Sequence, residues 1–331
     1  MSTPAGATID LNGLSLEALY EHLAAGGAVR RLLELARDED LGFAEPPRRP
    51  GDREGDARRG LDVTTAACIA PERRCRAALV ARSGGVVSGL AAFPELLRVF
   101  APSCVLAPMA RDGGRVAPGA TAAEIQGPLD EVLELERTAL NLIGRMSGIA
   151  TRTAEFARAI PAGSRAALYD TRKTTPGMRA LEKYAVRCGG GRCHRLGLFD
   201  AALIKDNHLA GVPVRGLAAF VRDAATRARA IAALRFVEVE VDTLAQFDAL
   251  LTLPRGTVEI VLLDNMEPED LRRAAALRDA RAPWLELEAS GGVTLATIRE
   301  IAGTGVDRIS VGGLTHGAVS LDVALDVVEA R

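Results

Sequence analysis

Short apolar strands alternate with helices throughout the second half of the chain, and this alternation limits the folds that are possible. Strands are predicted at six places, near Ala166–Thr171, Ala201–Asp206, Phe236–Asp242, Val258–Asp264, Trp284–Ala289 and Arg308–Val311. Strands that are joined by helices run parallel in one sheet. Because no Gly-x-Gly-x-x-Gly fingerprint accompanies them, the pattern favours a βα barrel over a doubly wound dinucleotide-binding sheet.

The first part of the chain has a different pattern, so we predict two domains. Leucines at helical spacing in residues 14–36 are followed by β-branched and glycine-rich residues in 77–90, which indicates a mixed α/β domain. Pro128 suits the first turn of the long helical pattern that follows it. We therefore place the first domain at 1–127 and the barrel domain at 128–317.

Composition and charge exclude several classes of function. The net charge of −2 gives no overall attraction to nucleic acid, so the partner is expected to be a small molecule that binds to local clusters of charge. No apolar run approaches the roughly 20 residues needed to cross a bilayer, which argues against a membrane role. The odd number of cysteines and the lack of a secretory segment indicate a cytoplasmic protein.

Each predicted strand is followed by polar or small residues. The carboxyl ends of barrel strands converge on one face, where active sites lie, so these residues are expected to meet in space. The first strand is followed by Asp170, Thr171, Arg172 and Lys173. The later ones are followed by Lys205–His208, Glu240–Asp242, Asp264–Asn265, Ser290–Gly292 and Gly312–Gly313.

Two strands carry acidic residues at every second position. Valines and acids alternate over 237–242, which places the acids on the inward face, and Glu286 and Glu288 repeat the pattern. Buried carboxylates need cations, a metal or hydroxyl groups as partners. Glu240 and Asp264 lie nearest the open end and are predicted to be functional. For Glu238, Glu286 and Glu288, structural salt bridges to interior Lys or Arg remain an open alternative.

A basic run lies between the first two strands. The segment 170–179 combines cations and hydroxyls at a strand end and a helix start, which suits carboxylate or phosphate oxygens. Three glycines then precede His194 and Arg195, so that the backbone can approach a ligand closely. A metal site at Cys188 and Cys193 is disfavoured, because their spacing exceeds the common zinc turn and no second Cys/His pair follows.

Lys205 has two possible roles. It could form a Schiff base, as in barrel aldolases, or act as a fixed cation for an anionic substrate. The nearby cations Arg172, Lys173 and Arg195 favour the second role, because so many positive charges imply a ligand with several negative charges.

Two glycine loops follow the last two strands, where barrel enzymes often bind phosphate through backbone amides. Their residues are Ser290, Gly291, Gly292, Val311, Gly312 and Gly313. On the long helix, Arg137, Asn141, Gly144, Arg145 and Gly148 form a polar and small face. Arg137 could pair with Glu134 or reach a neighbouring active site.

Five motifs in the same order resemble those of the quinolinate phosphoribosyltransferase family. They are Glu-Arg-Thr-Ala-Leu-Asn at 136–141, Asp-Thr-Arg-Lys-Thr-Thr-Pro-Gly at 170–177, Gly-Gly-Gly-x-x-His-Arg at 189–195, Leu-Ile-Lys-Asp-Asn-His at 203–208 and Glu-Ala-Ser-Gly-Gly at 288–292. The resemblance runs from about residue 32 to the end. It implies a homodimer whose N-terminal α/β sandwich is joined by a C-terminal helix at about 318–331, with a TIM-like barrel that has an incomplete strand set.

The resemblance also implies a reaction. Quinolinate and phosphoribosyl pyrophosphate would give nicotinate mononucleotide, pyrophosphate and carbon dioxide, with Mg²⁺, in NAD synthesis. By similarity the cations Arg172, Lys173, His194, Arg195 and Lys205 would bind the substrate carboxylates and the pyrophosphate. Arg137 would come from the other subunit. Glu240 and Asp264 would bind the ribose hydroxyls or Mg²⁺, and the glycine loops would bind the 5′-phosphate. Lys173, Lys205, Glu240 and Asp264 are the implied catalytic set.

The chain departs from the family pattern in three places. The stretch Glu45–Gly60 is longer than usual, a short insertion lies near Leu253–Thr257, and Gly317 replaces a common serine. None of them is a matched catalytic position. A paralogue linked to molybdenum transport shares the fold, but the retained Arg and Lys set argues against it. Two further hypotheses stay open, a lyase that uses Lys205 as a Schiff base and a non-catalytic anion-binding protein.

Overall fold

The structure, a computed structural model, describes residues 9–42 and 62–330, so the predicted insertion Glu45–Gly60 lies outside the described residues. The described chain forms two compact units. The antiparallel unit contains residues 15–42, 62–152, 175–189 and 318–330, and the parallel unit contains 9–14, 153–174 and 190–317. Among the described residues, no helix is both long and apolar enough to cross a lipid bilayer.

The antiparallel unit is built on a sheet with the strand order β12-β1-β5-β3. Its strands are β1 (Arg74–Ala81), β2 (Gly85–Val86), β3 (Val105–Pro108), β4 (Arg115–Val116), β5 (Thr121–Pro128) and β12 (Val323–Ala330), where β2 and β4 form a separate pair. Its helices are α1 (Leu16–Ala24), α2 (Ala28–Leu41), α3 (Val63–Cys68), α4 (Phe93–Phe100), most of α5 (Leu129–Ala159) and α6 (Arg179–Cys188).

The prediction of a C-terminal helix at about 318–331 is wrong, because residues 323–330 form strand β12. This strand pairs antiparallel with β1, with Leu325 opposite Leu79 and Val323 opposite Ala81. The valine-rich sequence favours an extended chain, and an edge of the sheet is available for it to pair with. The segment does join the unit that contains the N-terminal strands.

The small face predicted on the long helix allows the C-terminal segment to approach it closely. A side chain at Gly144 would lie 2.9 Å from the carbonyl oxygen of Leu321, and one at Gly148 would collide with the backbone of Val319. The amide of Leu321 donates to the Gly144 carbonyl at 2.9 Å. These contacts explain why the units divide inside α5, after Arg152, whereas the sequence pattern placed the boundary before Pro128.

The parallel unit consists of six strands with helices between them, as the alternation in the sequence predicted. The strands are β6 (Ala167–Tyr169), β7 (Ala202–Ile204), β8 (Val237–Val241), β9 (Ile260–Asp264), β10 (Glu286–Ser290) and β11 (Arg308–Ser310). The helices are α7 (Val214–Ile231), α8 (Leu244–Leu250), α9 (Pro268–Arg281) and α10 (Ile298–Ala302).

The strand order of this sheet is that of an incomplete barrel. The order is β6-β11-β10-β9-β8-β7 and all pairs are parallel, so the first strand pairs with the last one. Strands β6 and β7 are consecutive in the chain and lie at the two edges of the sheet. The helix between them, α6, belongs to the antiparallel unit, where Tyr184 packs edge-to-face against Tyr20 at 5.3 Å. No helix therefore joins β6 to β7 within the described residues of the parallel unit.

Candidate active site

The carboxyl ends of the six parallel strands surround a cavity of about 750 Å³. Parallel strands in register bring their last residues to one edge, as the pairing of Ser290 with Asp264 shows. The cavity lies within the parallel unit, and its lining includes Thr171, Arg172, Lys173, His194, Arg195, Lys205, Glu240, Asp264, Ser290, Gly291, Gly292, Val311, Gly312 and Gly313. Of the residues to which the resemblance gives a binding or catalytic role, Arg137 is the one that this lining does not include. Of the strand-end residues, the lining also omits Asp170 and residues 206–208 and 241–242.

Arg137 lies elsewhere. It is exposed on α5 in the antiparallel unit, and it is not among the residues that line the cavity.

Four cations line the cavity. They are Arg172, Lys173, Arg195 and Lys205. Burial, followed by repulsion from Arg172, lowers the pKa of Arg195. The Nε atom of Arg172 is buried and has no hydrogen-bond partner within the described residues. An anionic ligand would satisfy this donor and relieve the repulsion.

The two acids predicted to be functional, Glu240 and Asp264, line the same cavity. Lys205 Nζ is 2.7 Å from Oε2 of Glu240, which is 7% exposed. Burial raises the pKa of Asp264, and the carboxylates of Glu240 and Asp242 raise it further. Lys205 and a hydrogen bond from Asn265 act in the opposite direction. The carboxylates thus form a locally acidic edge of an otherwise basic cavity.

The glycine loops bring backbone close to the cavity. Gly291 and Gly292 have φ values of 92° and 59°, which glycine adopts far more easily than residues with a Cβ. At Gly312 a side chain would lie 2.8 Å from Cδ of Lys173, so the absence of a Cβ lets this lysine pack closely against the loop. Thr315 Oγ1 donates to the Lys173 carbonyl at 2.7 Å, which holds the loop after β6 beside the loop after β11.

A buried ionic cluster lies at the inner end of the cavity, where His194 and Glu288 contribute to the lining. Nε2 of His194 is 3.0 Å from Glu238 and 3.3 Å from Glu288. Arg308 donates from Nε to Glu288 at 2.6 Å, and its guanidinium lies 3.8 Å from the centre of the Tyr169 ring. Glu238 and Glu288 are fully buried. Glu288 thus pairs with an interior arginine, as the alternative of structural salt bridges described, whereas Glu238 contacts His194. Glu286 is about half exposed and pairs with Arg308 at 3.3 Å.

The two ring nitrogens of His194 have opposite environments. Burial disfavours its charged form, but Glu288 and Glu238 outweigh this and raise its pKa to about 9. Nδ1 accepts a hydrogen bond from the backbone amide of Arg195 at 2.8 Å, and this bond opposes protonation of the ring. It comes from a single neutral donor, whereas two carboxylates face Nε2, so the carboxylates have the larger effect on the pKa. Both nitrogens of His194 thus contact the protein itself, so its expected contact with substrate is through the ring face or after a rotation.

The His194, Glu238 and Glu288 ligand atoms lie within 4.8 Å of one another, a spacing that a metal ion could also use. Here Arg308 and His194 already contact the acids, and burial, followed by repulsion from Glu288, raises the pKa of Glu238. The two cysteines Cys188 and Cys193 are buried and belong to no such cluster among the described residues. Burial raises the pKa of Cys188 to about 12, as expected for an unreactive thiol.

Three further polar residues line the cavity that were not singled out from the sequence, namely Ser310, Thr294 and His316. Thr294 and His316 each follow the last lining glycine of their loop closely. Thr294 and His316 could have been identified from the sequence by one signal. Each is a polar residue two or three positions after a double glycine, on a loop that is expected to bind phosphate.

Comparisons with known proteins agree with this geometry. Residues 62–147 match the N-terminal domain of the quinolinate phosphoribosyl transferase family, and residues 149–326 match its C-terminal domain. The nicotinate-nucleotide pyrophosphorylase (carboxylating) of Mycobacterium leprae is 44% identical over 82% of this chain and 93% of its own length. The enzyme of the same name from Rattus norvegicus is 37% identical over 76% of this chain and 81% of its own length.

A solved structure agrees as well. The nicotinate-nucleotide pyrophosphorylase of Francisella tularensis aligns with a TM-score of 0.76 and 30% identity, covering 97% of this chain and all of that chain. The two family domains together match nearly all of residues 62–326, and the five motifs lie within them. The chain belongs to the quinolinate phosphoribosyl transferase family.

Proposed function

We propose that this protein is an enzyme that converts quinolinate and phosphoribosyl pyrophosphate to nicotinate mononucleotide, pyrophosphate and carbon dioxide, a step of NAD biosynthesis. The observation that carries the proposal is one cavity in which four Lys and Arg side chains, three acids and two glycine loops lie at the carboxyl ends of the parallel strands. Quinolinate has two carboxylates and the co-substrate carries a pyrophosphate and a 5′-phosphate. This charge pattern suits a basic cavity with a separate acidic edge.

The parts of the cavity suit different parts of the substrates. Arg172, Lys173, Arg195 and Lys205, with Thr171, would bind the carboxylates and the departing pyrophosphate. Glu240 and Asp264 would bind the ribose hydroxyls, where their negative charge favours the positive charge that develops on the sugar. The backbone amides of Ser290–Gly292 and Val311–Gly313 would bind the 5′-phosphate.

The reaction then proceeds in two steps. The lone pair of the pyridine nitrogen forms a bond to the anomeric carbon, and the bond to pyrophosphate breaks with its electrons leaving on oxygen. The ring nitrogen is now cationic, so it stabilises the electron pair that stays on C2 when the 2-carboxylate leaves as carbon dioxide. That pair then forms the new C–H bond with a proton from solvent. The protein contributes by aligning two anionic substrates that repel each other.

We also propose that Mg²⁺ takes part. Asp264 has a raised pKa because it is buried and other carboxylates are near it, and a divalent cation bound to Asp264 and Glu240 would relieve this repulsion. Carboxylate oxygens are ligands that Mg²⁺ prefers. When bound it would supply positive charge that stabilises pyrophosphate as a leaving group.

The proposal includes a cytoplasmic homodimer in which each active site receives Arg137 from the partner copy. The exposure of Arg137 on α5 and its position outside the cavity lining support this arrangement. The five free cysteines among the described residues are compatible with a reducing compartment.

A direct assay tests the function. The purified protein is incubated with quinolinate, phosphoribosyl pyrophosphate and Mg²⁺, and nicotinate mononucleotide and carbon dioxide are measured. We expect both products in equal amounts, and we expect a chelator to stop the reaction and added Mg²⁺ to restore it. No product at high enzyme concentration would refute the proposal. Binding of both substrates without turnover would favour an accessory anion-binding protein instead.

A further inference from the structure

Asn265 lies between two parts of the cavity that have different proposed tasks. Its side-chain Nδ2 donates to Oδ2 of Asp264 at 2.7 Å, and its backbone N–H donates to the carbonyl of Ser290 at 2.9 Å. Its amide oxygen also lies against Gly291, because a side chain at Gly291 would collide with Oδ1 of Asn265. One residue thus contacts both the acid at the end of β9 and the glycine loop after β10.

The backbone of Asn265 is unusual. Its φ of 52° is the only positive value for a residue other than glycine in the described part of the chain. Asparagine tolerates this left-handed conformation better than most residues, but glycine adopts it at lower cost. Such strain is expected where the side chain has a task.

Capping of the next helix is not that task. The residue that precedes the first turn of α9 is Glu267, two positions further along the chain. The hydrogen bond that the Asn265 amide makes within the described residues goes to Asp264. The side chain therefore acts inside the cavity, which it lines.

The contact has a clear effect on Asp264. The carboxylate of Asp264 interacts electrostatically with Lys205, Glu240 and Asp242. The amide of Asn265 holds Oδ2, which leaves Oδ1 for a ligand. Without it, the carboxylate could turn toward the Lys205 ammonium.

We propose that Asn265 is a positioning residue for phosphoribosyl pyrophosphate, holding the Asp264 carboxylate toward the sugar hydroxyls at a fixed distance from the Ser290–Gly292 loop. The inference rests on the proposed function, because it requires the sugar at Asp264 and the 5′-phosphate at the loop. Both groups belong to one substrate of limited flexibility. Asn265 should therefore affect that substrate and leave quinolinate binding unchanged.

Two variants of Asn265 distinguish the effect of its backbone conformation from the effect of its side-chain amide. Asn265→Gly keeps the left-handed conformation and removes the side chain. We expect kcat/KM for phosphoribosyl pyrophosphate to fall about ten- to a hundredfold, as for the loss of a hydrogen bond to a charged group. The KM for quinolinate should stay within about twofold, because its cations are untouched. Asn265→Asp preserves the shape but places a second carboxylate beside Asp264, so its loss should be larger.

The kinetic constants for the two substrates, measured separately for each variant, decide the outcome. If Asn265→Gly is as active as wild type, or if both KM values rise together, the positioning role is wrong. Thermal melting of each variant accompanies the kinetics, so that a folding defect is recognised. Should Asn265→Gly melt early, Asn265→Asp with a wild-type melting temperature still provides the test.

A double-mutant cycle shows whether Asn265 acts through Asp264. Binding of phosphoribosyl pyrophosphate is measured by calorimetry for wild type, Asn265→Gly, Asp264→Ala and the double variant. We expect Asn265→Gly to weaken binding in the wild-type background but hardly at all beside Asp264→Ala, and additive losses would overturn the proposal. Because this readout is binding, it stands even if the wild type shows no turnover. A wild type that binds no phosphoribosyl pyrophosphate would instead refute the proposed function itself.

Discussion

Lys205 Nζ lies 2.7 Å from Oε2 of Glu240, and this contact bears on the role of the lysine. Nζ is engaged by a mostly buried carboxylate, whereas Schiff-base formation needs an amine that is free to attack a carbonyl carbon. The contact therefore supports a fixed cation in the cavity rather than the nucleophile of a barrel aldolase.

The first prediction concerns the charge of Lys205. Lys205→Met should lower kcat/KM on the order of a hundredfold or more, because it removes a cation from a site for polyanions and leaves Glu240 without its partner. Lys205→Arg should retain more activity, since it keeps the positive charge. Steady-state kinetics of both variants check this. Covalent trapping of Lys205 by borohydride with a carbonyl substrate would contradict it.

The second prediction concerns the buried arginine of the ionic cluster. Arg308→Met should reduce the free energy of unfolding by about 3–5 kcal/mol, because it leaves two buried carboxylates with His194 alone. Urea denaturation measures the change. The control is Arg272→Met, whose partner Glu300 lies 3.1 Å away on the surface. Exposed pairs contribute less than about 1 kcal/mol, so equal losses in both variants would argue against the cluster as described.

The third prediction is a dependence of stability on pH. Glu288 and Glu238 raise the pKa of His194 to about 9, above its ordinary value of 6.5. Protonated His194 therefore adds about 3 kcal/mol to the free energy of unfolding. This contribution is complete below about pH 6.5 and is lost as the pH rises through 9. Unfolding of wild type and His194→Gln is compared across this range, and the difference between them should shrink as the pH rises.

A second histidine variant controls for general effects of pH. Besides Glu238 and Glu288, the charged residues around His194 include Arg308, Arg195, Asp170 and Arg235. The arginines remain charged throughout this range. His22→Gln on α1 lies outside the cluster and should follow the wild-type curve. A difference between wild type and His194→Gln that is constant with pH would contradict the assignment.

The fourth prediction tests the shared active site. Arg137→Ala and Lys205→Ala should each be nearly inactive. After subunit exchange, a mixture should regain up to about a quarter of wild-type activity, because half the dimers are mixed and one of their two sites is intact. Activity assays after verified exchange measure this. Absence of recovery would place Arg137 in its own subunit or outside the mechanism.

The parallel sheet was predictable because its signal is local. Each strand is a short apolar run, and the six predicted runs coincide with β6 to β11. The position of functional residues follows from the same pattern, since the carboxyl ends of parallel strands meet at one edge. For this reason Lys205, Glu240 and Asp264 could be assigned to one cavity although they are far apart in sequence.

The C-terminal segment shows a structure that local sequence patterns could not predict. Residues 323–330 contain enough alanine, leucine and acid to suit a helix, and they form a strand because an edge of β1 is available to them. The domain boundary has the same origin. Gly144 and Gly148 revealed a close-packed face in the sequence, but the partner of that face is the segment that precedes β12.

The sequence by itself determined the strand and helix pattern, the residues at the strand ends and the balance of cations and acids at the site. The tertiary structure alone decided which charges meet: His194 with Glu238 and Glu288, Glu288 with Arg308, and Asn265 with both Asp264 and the Ser290 loop. The physical reason is range. Periodicity and turn chemistry act over a few residues, whereas the partner of a buried charge is set by strand order and register, which bring together residues that are distant in the chain.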